Sequence, residues 1–161
     1  MGETRNRMEI KFKPENIKVV GINEVKPNSW NPKNKNTEDF QKVKRGIELK
    51  GQRMPIVVRT TGSIDAAYEI IDGEQRYTAC KELGFKKVLV YDEGKVSDKE
   101  AKELTIWYQQ QVPFNELELA ELIKELSDEF GDGLEVPFSS EEIDQMCQLS
   151  EFDWGEFKEH A

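Results

Sequence analysis

The sequence predicts an α+β fold: a small mixed β-sheet with packed helices, followed by an acidic helical extension. Up to about residue 95, short β-branched runs alternate with stretches of helical spacing, which is typical of a sheet covered by helices. After Gly94 the pattern becomes helical. The charge divides at the same place, because residues 1–95 hold 19 Lys and Arg against 14 Asp and Glu, whereas residues 96–161 hold 4 against 18.

The sheet is predicted from short elements in order along the chain. These are a strand at Ile17 to Ile22, a loop at Pro27 to Asn36, a helix from Asn36 or Thr37 ended by Gly51, strands at Pro55 to Arg59 and Tyr68 to Ile71, a helix at Glu74 to Leu83 closed by Gly84, and a strand at Lys87 to Tyr91. The second and third strands are close enough in sequence to pair as a hairpin. A helix followed by a strand suggests a crossover, so the sheet should be mixed.

The helical part of the chain after Gly94 is predicted from helix starts and apolar stripes. Ser97 with Glu100, and Asn115 with Glu118, have the spacing of residues that cap helix N-termini. Two stripes should pack inward, namely Ala101, Leu104 and Tyr108 in the first helix and Leu119, Leu122, Ile123 and Leu126 in the second. The chain is accordingly divided into an N-terminal arm, a domain and a helical extension, at residues 1–16, 17–112 and 113–161.

One segment carries the chemistry: a strand that reaches a tight turn and leads into a helix, YEIIDGEQRYTACKEL at residues 68–83. The free N–H groups and positive dipole end of such a helix attract phosphate, and Gly73 allows a close approach. Arg76, in the first helical turn, is placed to add a two-pronged contact. Glu74 can cap the helix, orient Arg76, help to hold Mg²⁺, or act as a base toward a substrate hydroxyl. By itself the segment fits a plain β-turn before an amphipathic helix equally well.

A second signature lies upstream, where a helix end is followed by a strand that begins at a proline, LKGQRMPIVVR at residues 49–59. Together the two segments resemble the ParB family, in which a G-Q-x-x-P-I-x-V stretch precedes an I-x-G-E-R-R-x-x-A stretch at a similar distance. The acidic helix start FNELELA at residues 114–120 and the Asn/Pro loop at residues 27–32 are also similar to ParB. The resemblance covers about residues 17–126 and implies a ParB/sulfiredoxin-like fold of the phage or plasmid type.

The resemblance also implies a nucleotide site, for CTP or ATP. In the family's nucleotide binders the Gly-Gln segment lies near the base, and the Gly-Glu-Arg-Arg segment wraps the phosphates. Carried over to this chain, the implied binding residues are Gly51, Gln52 and Pro55 at the base, Gly73, Glu74, Gln75 and Arg76 at the phosphates, and Gln110 from the family's E-N-x-Q-R motif. Glu74 is the candidate catalytic carboxylate.

Three departures from the family pattern limit this expectation. Gln75 replaces the first of two Arg, which removes a positive charge and should weaken triphosphate binding. WYQQQ at residues 107–111 lacks the Glu and Asn that hold Mg²⁺ in ParB-type CTPases, so hydrolysis is expected to be weak or absent. Mg²⁺ is expected only with a bound nucleotide, and its protein ligands are unknown. No basic helix-turn-helix follows residue 112, so the chain is expected to serve phage or plasmid DNA processing without reading DNA itself.

Relatives of this fold leave alternatives open. A ParB-like nuclease or a small-molecule kinase would use a carboxylate such as Glu74 and would show metal-dependent turnover. A non-catalytic adaptor would keep Arg76 in an internal salt bridge and dock a DNA-processing protein through acidic residues 127–161. Sulfiredoxin activity is rejected, because Glu74 stands where that family needs a thiolate and Cys80 fits a core position.

Composition excludes several other classes. No apolar run approaches the roughly 20 residues of a membrane span and the first residues lack a secretory signal, so a cytoplasmic protein without membrane contact is expected. Two cysteines and one histidine, at Cys80, Cys147 and His160, make a zinc site implausible. Residues 96–161 carry a net charge of 4 − 18 = −14, which should repel DNA phosphates and leave direct duplex binding weak or absent.

Overall fold

The computed structural model describes residues 9–31, 37–63, 65–110 and 115–152, and the chain divides into two compact units, Met1–Gln110 and Gln111–Ala161. The strands are β1 (Ile17–Gly21), β2 (Val25–Lys26), β3 (Ile56–Thr60), β4 (Tyr68–Asp72) and β5 (Lys87–Asp92). The helices are α1 (Thr37–Lys50), α2 (Glu74–Glu82), α3 (Asp98–Tyr108), α4 (Glu116–Phe130) and α5 (Ser140–Glu151). Short 3-10 turns precede β1 and β2, at Pro14–Asn16 and Ile22–Glu24.

The five strands form one mixed sheet in the order β1-β5-β3-β4-β2. β3 and β4 pair antiparallel as a hairpin, with a register shift between Val57 and Val58. β5 then returns on the other side of β3 and pairs with it in parallel, which a chain can do because α2 lies between β4 and β5. β1 pairs antiparallel with β5, and β2 pairs parallel with β4. The predicted hairpin, crossover and α+β class are confirmed.

Helices cover both faces of the sheet, because neighbouring strand residues point to opposite faces. One face packs against α1 and α2, and its buried residues include Ile56, Val58, Ile70, Val90, Tyr77 and Cys80. The other face packs against α3 and includes Val57, Ile71, Tyr91 and Ala101. β4 therefore passes between two packed layers before it leads into α2, so the start of α2 is held firmly in place.

Where the element boundaries differ from the predicted ones, they differ by one residue. Ile22, predicted to end the first strand, lies in a 3-10 turn, although its side chain is only 7% exposed. The chain bends there because the Glu24 carboxylate accepts the N–H of Gly21 at 2.7 Å. α1 ends at Lys50, and Gly51 follows with φ of +77°, a left-handed conformation that glycine adopts without strain.

The second unit contains α4 and α5, which pack on each other. Ala120 and Ile123 of α4 are buried. Leu122 is 53% exposed, so the prediction that it packs inward is wrong. At about 100° per residue, Leu122 lies at the edge of the apolar stripe, on the side shared with Glu118 and Glu125.

Some sequence predictions fall outside the described residues and stay predictions there. They concern residues 1–8 of the arm, residues 32–36 of the Asn/Pro loop, Gln111 of the third motif, Phe114 of the acidic helix start, and residues 153–161 of the extension. Within the described ranges, no helix combines the length and the apolar character needed to cross a bilayer.

Candidate functional site

The junction between β4 and α2 depends on Gly73. This residue is buried and has φ of +100°, a left-handed conformation that costs other residues about 1–2 kcal/mol. The N–H of Tyr77 closes the first helical turn on the Gly73 carbonyl at 2.9 Å. Because glycine has no side chain, the N-cap position supplies no acceptor for the N–H groups of the first turn. The sequence therefore builds an uncapped, positively polarised helix start at the end of β4.

Arg76 lies against this junction with a guanidinium that is incompletely paired. Its Nη2 donates to the Pro55 carbonyl at 3.2 Å. The same nitrogen lies 3.5 Å from Oδ2 of Asp72, beyond the usual range of about 2.7–3.2 Å for such a hydrogen bond. Its Nε is buried without a hydrogen-bond partner among the described residues, while 28% of the side-chain surface stays exposed. Asp72 is thus the carboxylate that pairs with Arg76, and the cation keeps donors for a ligand.

Glu74 belongs to a chain of three hydrogen-bonded side chains. Its Oε2 accepts Nδ2 of Asn31 at 2.5 Å, and Oδ1 of Asn31 accepts Nε2 of Gln109 at 3.0 Å. All three residues are half-buried. Sequence reasoning missed Asn31 and Gln109 as site residues. Their only signals were positions in the Asn/Pro loop and in the WYQQQ stretch at residues 107–111, and neither pattern indicates a contact with Glu74.

The upstream segment reaches the same junction through Pro55, whose carbonyl accepts Arg76. Gly51, which is exposed, turns the chain after α1. The Gln52 amide is bonded to the backbone of β5, since its Oε1 accepts the N–H of Leu89 at 2.8 Å and its Nε2 donates to the Leu89 carbonyl at 2.9 Å. Gln52 therefore fixes this segment to the sheet, and its side-chain amide is already engaged.

The structure brings together part of the predicted site. Gly73, Glu74, Gln75 and Arg76 follow one another at the start of α2, where Gln75 is half-buried, and Pro55 contacts this group through Arg76. Gln110 is exposed after the end of α3, and its N–H bonds to the Trp107 carbonyl at 3.2 Å. Its neighbour Gln109 is the residue that links the end of α3 to Glu74.

Two ionisable groups near the junction have shifted pKa values. The Tyr108 hydroxyl donates to Oε1 of Glu93 at 2.5 Å. The pKa of Tyr108 is raised well above its usual range, chiefly by burial and next by this hydrogen bond. The charge of Asp72 raises it further, but less strongly. Tyr108 is 39% exposed, so its predicted inward packing is only partial. Burial raises the pKa of the Cys80 thiol, with Arg76 acting in the opposite direction. A fully buried thiol of this kind is a poor nucleophile.

The acidic groups around α2 do not form a cage for a metal ion. Among the residues described, no three His, Cys, Asp or Glu side chains are grouped to hold one. Asp72 faces Arg76 and Glu74 is bonded to Asn31. Mg²⁺ that arrives with a nucleotide needs only one or two protein carboxylates, because the phosphates supply the other oxygens. Asp72 and Glu74 would be the carboxylates of this junction for a Mg²⁺ ion that arrives with a nucleotide.

The fold is similar to that of the C-terminally truncated chromosome-partitioning protein ParB from Caulobacter crescentus, solved in complex with CTP-γ-S. The TM-score is 0.76 at 23% sequence identity, and the similarity covers 88% of this chain and 82% of that one. The first unit accounts for 110 of the 161 residues, so the similarity extends into the second unit.

Two sequence relatives point to the same family. The nucleoid occlusion protein of Lysinibacillus sphaericus is 36% identical over 75 residues, which are 46% of this chain and 24% of that protein. The "Probable chromosome-partitioning protein ParB" of Vibrio cholerae is 31% identical over 117 residues, 69% of this chain and 38% of that protein. The chain thus spans less than two-fifths of either relative. The ParB N-terminal domain itself matches residues 6–109, more than half of the sequence, and the chain belongs to the ParB N-terminal domain family.

Proposed function

We propose that this domain binds a nucleotide, CTP or ATP, with its phosphates at the start of α2. The observation that carries the proposal is the placement of Arg76, a cation with an unpaired buried Nε beside a helix start whose N-cap residue has no side chain. Pro55 connects this junction to the segment that contains Gly51 and Gln52, where the base is proposed to lie.

Phosphate binding would use groups that are already in place. The first N–H groups of α2 and the helix dipole favour an anion at Gly73. Arg76 would exchange its 3.5 Å contact with Asp72 for charge-assisted hydrogen bonds of about 2.7–2.9 Å. Because the contact with Asp72 is long, releasing it costs little. Gln75 supplies no second cation, so affinity for a triphosphate should be moderate.

The relatives support the ligand class and the biological setting by analogy. The solved ParB from Caulobacter crescentus is complexed with CTP-γ-S, and the names of the two sequence relatives refer to nucleoid occlusion and chromosome partitioning. We propose that this chain likewise serves DNA processing. A phage or plasmid setting is proposed by analogy alone, from the resemblance of the sequence motifs to that type of ParB-like protein.

Hydrolysis is proposed to be weak or absent. Trp107 and Tyr108 occupy the positions of the Glu and Asn that hold Mg²⁺ in ParB-type CTPases; Trp107 is 74% exposed and Tyr108 is bonded to Glu93. A Mg²⁺ ion bound with the nucleotide would neutralise charge on the phosphates. Glu74 is the carboxylate proposed to help hold that ion, or to act as the base if turnover occurs.

A thermal-shift panel of the whole chain with CTP, ATP, GTP, ADP and inorganic triphosphate, each with and without Mg²⁺, tests the proposal. A ligand that binds the native state raises the midpoint of unfolding, by an amount that grows with its concentration relative to Kd. We expect CTP or ATP to raise the midpoint most. Equal shifts from every nucleotide and from inorganic triphosphate would indicate simple anion binding, and no shift from any of them would contradict the proposal.

A non-catalytic adaptor is the second candidate, and two observations favour it. Arg76 is paired internally with Asp72, as this alternative predicts. Residues 115–152 hold 12 Asp and Glu against one Lys, and that residue, Lys124, is bonded to Asp128 and Glu151 within the second unit at 2.9 and 3.0 Å. A cationic DNA-processing protein that docks on residues 127–161 would suit such a surface. Retained partner binding by an Arg76→Ala variant that binds no nucleotide would favour the adaptor.

A further inference from the structure

We propose that Asn31 is a positioning residue for Glu74, and that Gln109 sets the direction of the Asn31 amide. The inference rests on the proposed function, because Glu74 is the carboxylate assigned to the nucleotide site. It adds to that site two residues that the sequence analysis did not assign to it. The contacts span 43 positions between Asn31 and Glu74 and 78 positions between Asn31 and Gln109, so only the tertiary fold creates them.

The two hydrogen bonds determine which way the Asn31 amide points. An amide side chain has a carbonyl that accepts and an NH₂ group that donates. Because Nε2 of Gln109 donates to Oδ1 of Asn31, the NH₂ group of Asn31 faces the Glu74 carboxylate and donates to Oε2. The amide therefore holds one carboxylate oxygen, Oε2, and we assign the other, Oε1, to the ligand.

The segment that carries Asn31 is itself anchored, which a positioning role requires. Asn28 donates from Nδ2 to the Ile70 carbonyl of β4 at 2.7 Å and accepts the N–H of Trp30 at 3.0 Å. The indole N–H of Trp30 donates to Oγ1 of Thr105 in α3 at 3.0 Å. Asn31 thus follows a segment bonded to both β4 and α3, and it cannot shift freely when a ligand arrives.

The test uses four full-length variants, Asn31→Ala, Asn31→Asp, Gln109→Ala and the double swap Asn31→Asp/Glu74→Gln. Asn31→Asp places two carboxylates against each other, which displaces Glu74. The swap moves the carboxylate to position 31 and the amide to position 74, and both hydrogen bonds of the chain can reform. Asn23→Asp and Gln41→Glu, at exposed positions on other elements, serve as matched controls. CTP and ATP with Mg²⁺ are titrated calorimetrically, and thermal unfolding is recorded for each variant.

We expect Asn31→Asp to weaken nucleotide binding at least tenfold, and Asn31→Ala and Gln109→Ala to weaken it severalfold. The swap should recover the thermal stability of the wild type but not its affinity, because the carboxylate is misplaced by about one side chain. Loss of thermal stability with wild-type affinity in Asn31→Asp would show that the bond is purely structural, and that result would overturn the inference. Unchanged affinity in folded Asn31 variants would overturn it too. Failure of the wild type to bind any nucleotide would overturn the proposed function itself, so the two failures are distinguishable.

Discussion

The guanidinium of Arg76 occupies the space that a side chain on residue 73 would need. A Cβ atom built on Gly73 would lie 2.9 Å from Nη2 and 3.3 Å from Cζ of Arg76, closer than carbon and nitrogen atoms can approach without a shift. Gly73 also has φ of +100°. The glycine is therefore required twice, for the backbone turn into α2 and for the position of the guanidinium.

The first prediction concerns Gly73→Ala. The left-handed backbone should cost about 1–2 kcal/mol of unfolding free energy, and the new methyl group should displace Arg76 and weaken nucleotide binding. Gly84→Ala is the matched control, because Gly84 has φ of +84° but no neighbouring atom within 4 Å of the added Cβ. Urea unfolding and calorimetric titration measure the two effects. Both variants should lose stability, and equal affinities in the two would show that displacing Arg76 has no consequence.

The second prediction concerns the charge of Arg76. Loss of a charge-assisted contact in Arg76→Ala should cost roughly 1.5–3 kcal/mol of binding free energy, which is about ten- to hundredfold in Kd. Arg76→Lys should recover only part of it, because an ammonium cannot make a two-pronged contact. Arg45→Ala, at an exposed position on α1, is the control for net charge. Nucleotide titrations of folded Arg76→Ala that match the wild type would rule out this phosphate site.

The parts of the fold that sequence predicts well are those encoded over a few neighbouring residues. The turn at Gly73 and the helix that follows are specified by adjacent glycine, charge and apolar spacing, and the structure has them within one residue of the predicted ends. The β3–β4 hairpin and the return of β5 follow from connection length. The prediction for Leu122 is wrong because apolar character alone does not decide whether a residue at the edge of an apolar stripe is buried.

The parts that sequence does not predict are contacts between distant elements. The sequence does not determine the partners of Arg76. Its contacts with Asp72 and the Pro55 carbonyl depend on how β3 lies beside β4. The bond between Asn31 and Glu74 likewise depends on Asn31, far away in the sequence, lying next to the start of α2. The periodicity of the sequence does not indicate such pairs of contacting residues, because their separation along the chain is set by the topology of the sheet.

The third prediction is an alkaline titration of Tyr108. Its pKa is raised in the folded state by burial and by the hydrogen bond to Glu93, whereas an unfolded phenol loses its proton near about pH 10. The folded state then binds more protons than the unfolded state, so the free energy of unfolding should fall as pH rises above about 10. Tyr108→Phe should reduce this fall. Urea unfolding near about pH 9 and about pH 11 checks it, and parallel curves for the two proteins would contradict it.

The fourth prediction concerns Trp30. Its ring lies 5.3 Å from the Arg59 guanidinium and 5.7 Å from the Lys102 ammonium, and its N–H donates to Thr105. Trp30→Phe should lower the free energy of unfolding by about 1–2 kcal/mol through loss of the donor and of part of the cation–π attraction. Trp107→Phe is the control, because Trp107 is 74% exposed and should change stability by less than about 0.5 kcal/mol. Equal losses in the two variants would show that Trp30 anchors nothing.

The fifth prediction is that the intact chain does not bind duplex DNA tightly. Nonspecific binding requires Lys and Arg to neutralise phosphates. The +5 charge of residues 1–95 (19 − 14) is small beside the −14 of residues 96–161 (4 − 18). The acidic field of the extension should therefore oppose association at any distance that salt does not screen.

Neutralising one face of α4 in the full chain isolates this effect. Glu118, Glu121, Glu125 and Glu129 are all exposed, and replacing the four with Gln moves the net charge from −9 to −9 + 4 = −5 without touching the start of α2. Anisotropy titrations with a labelled duplex should show no submicromolar binding by the wild type at physiological salt, and weak binding by the variant that decreases as salt rises. Submicromolar binding by the intact chain would contradict the prediction and would favour the nuclease alternative, because the basic residues of the first unit would then attract DNA more strongly than the acidic helices repel it.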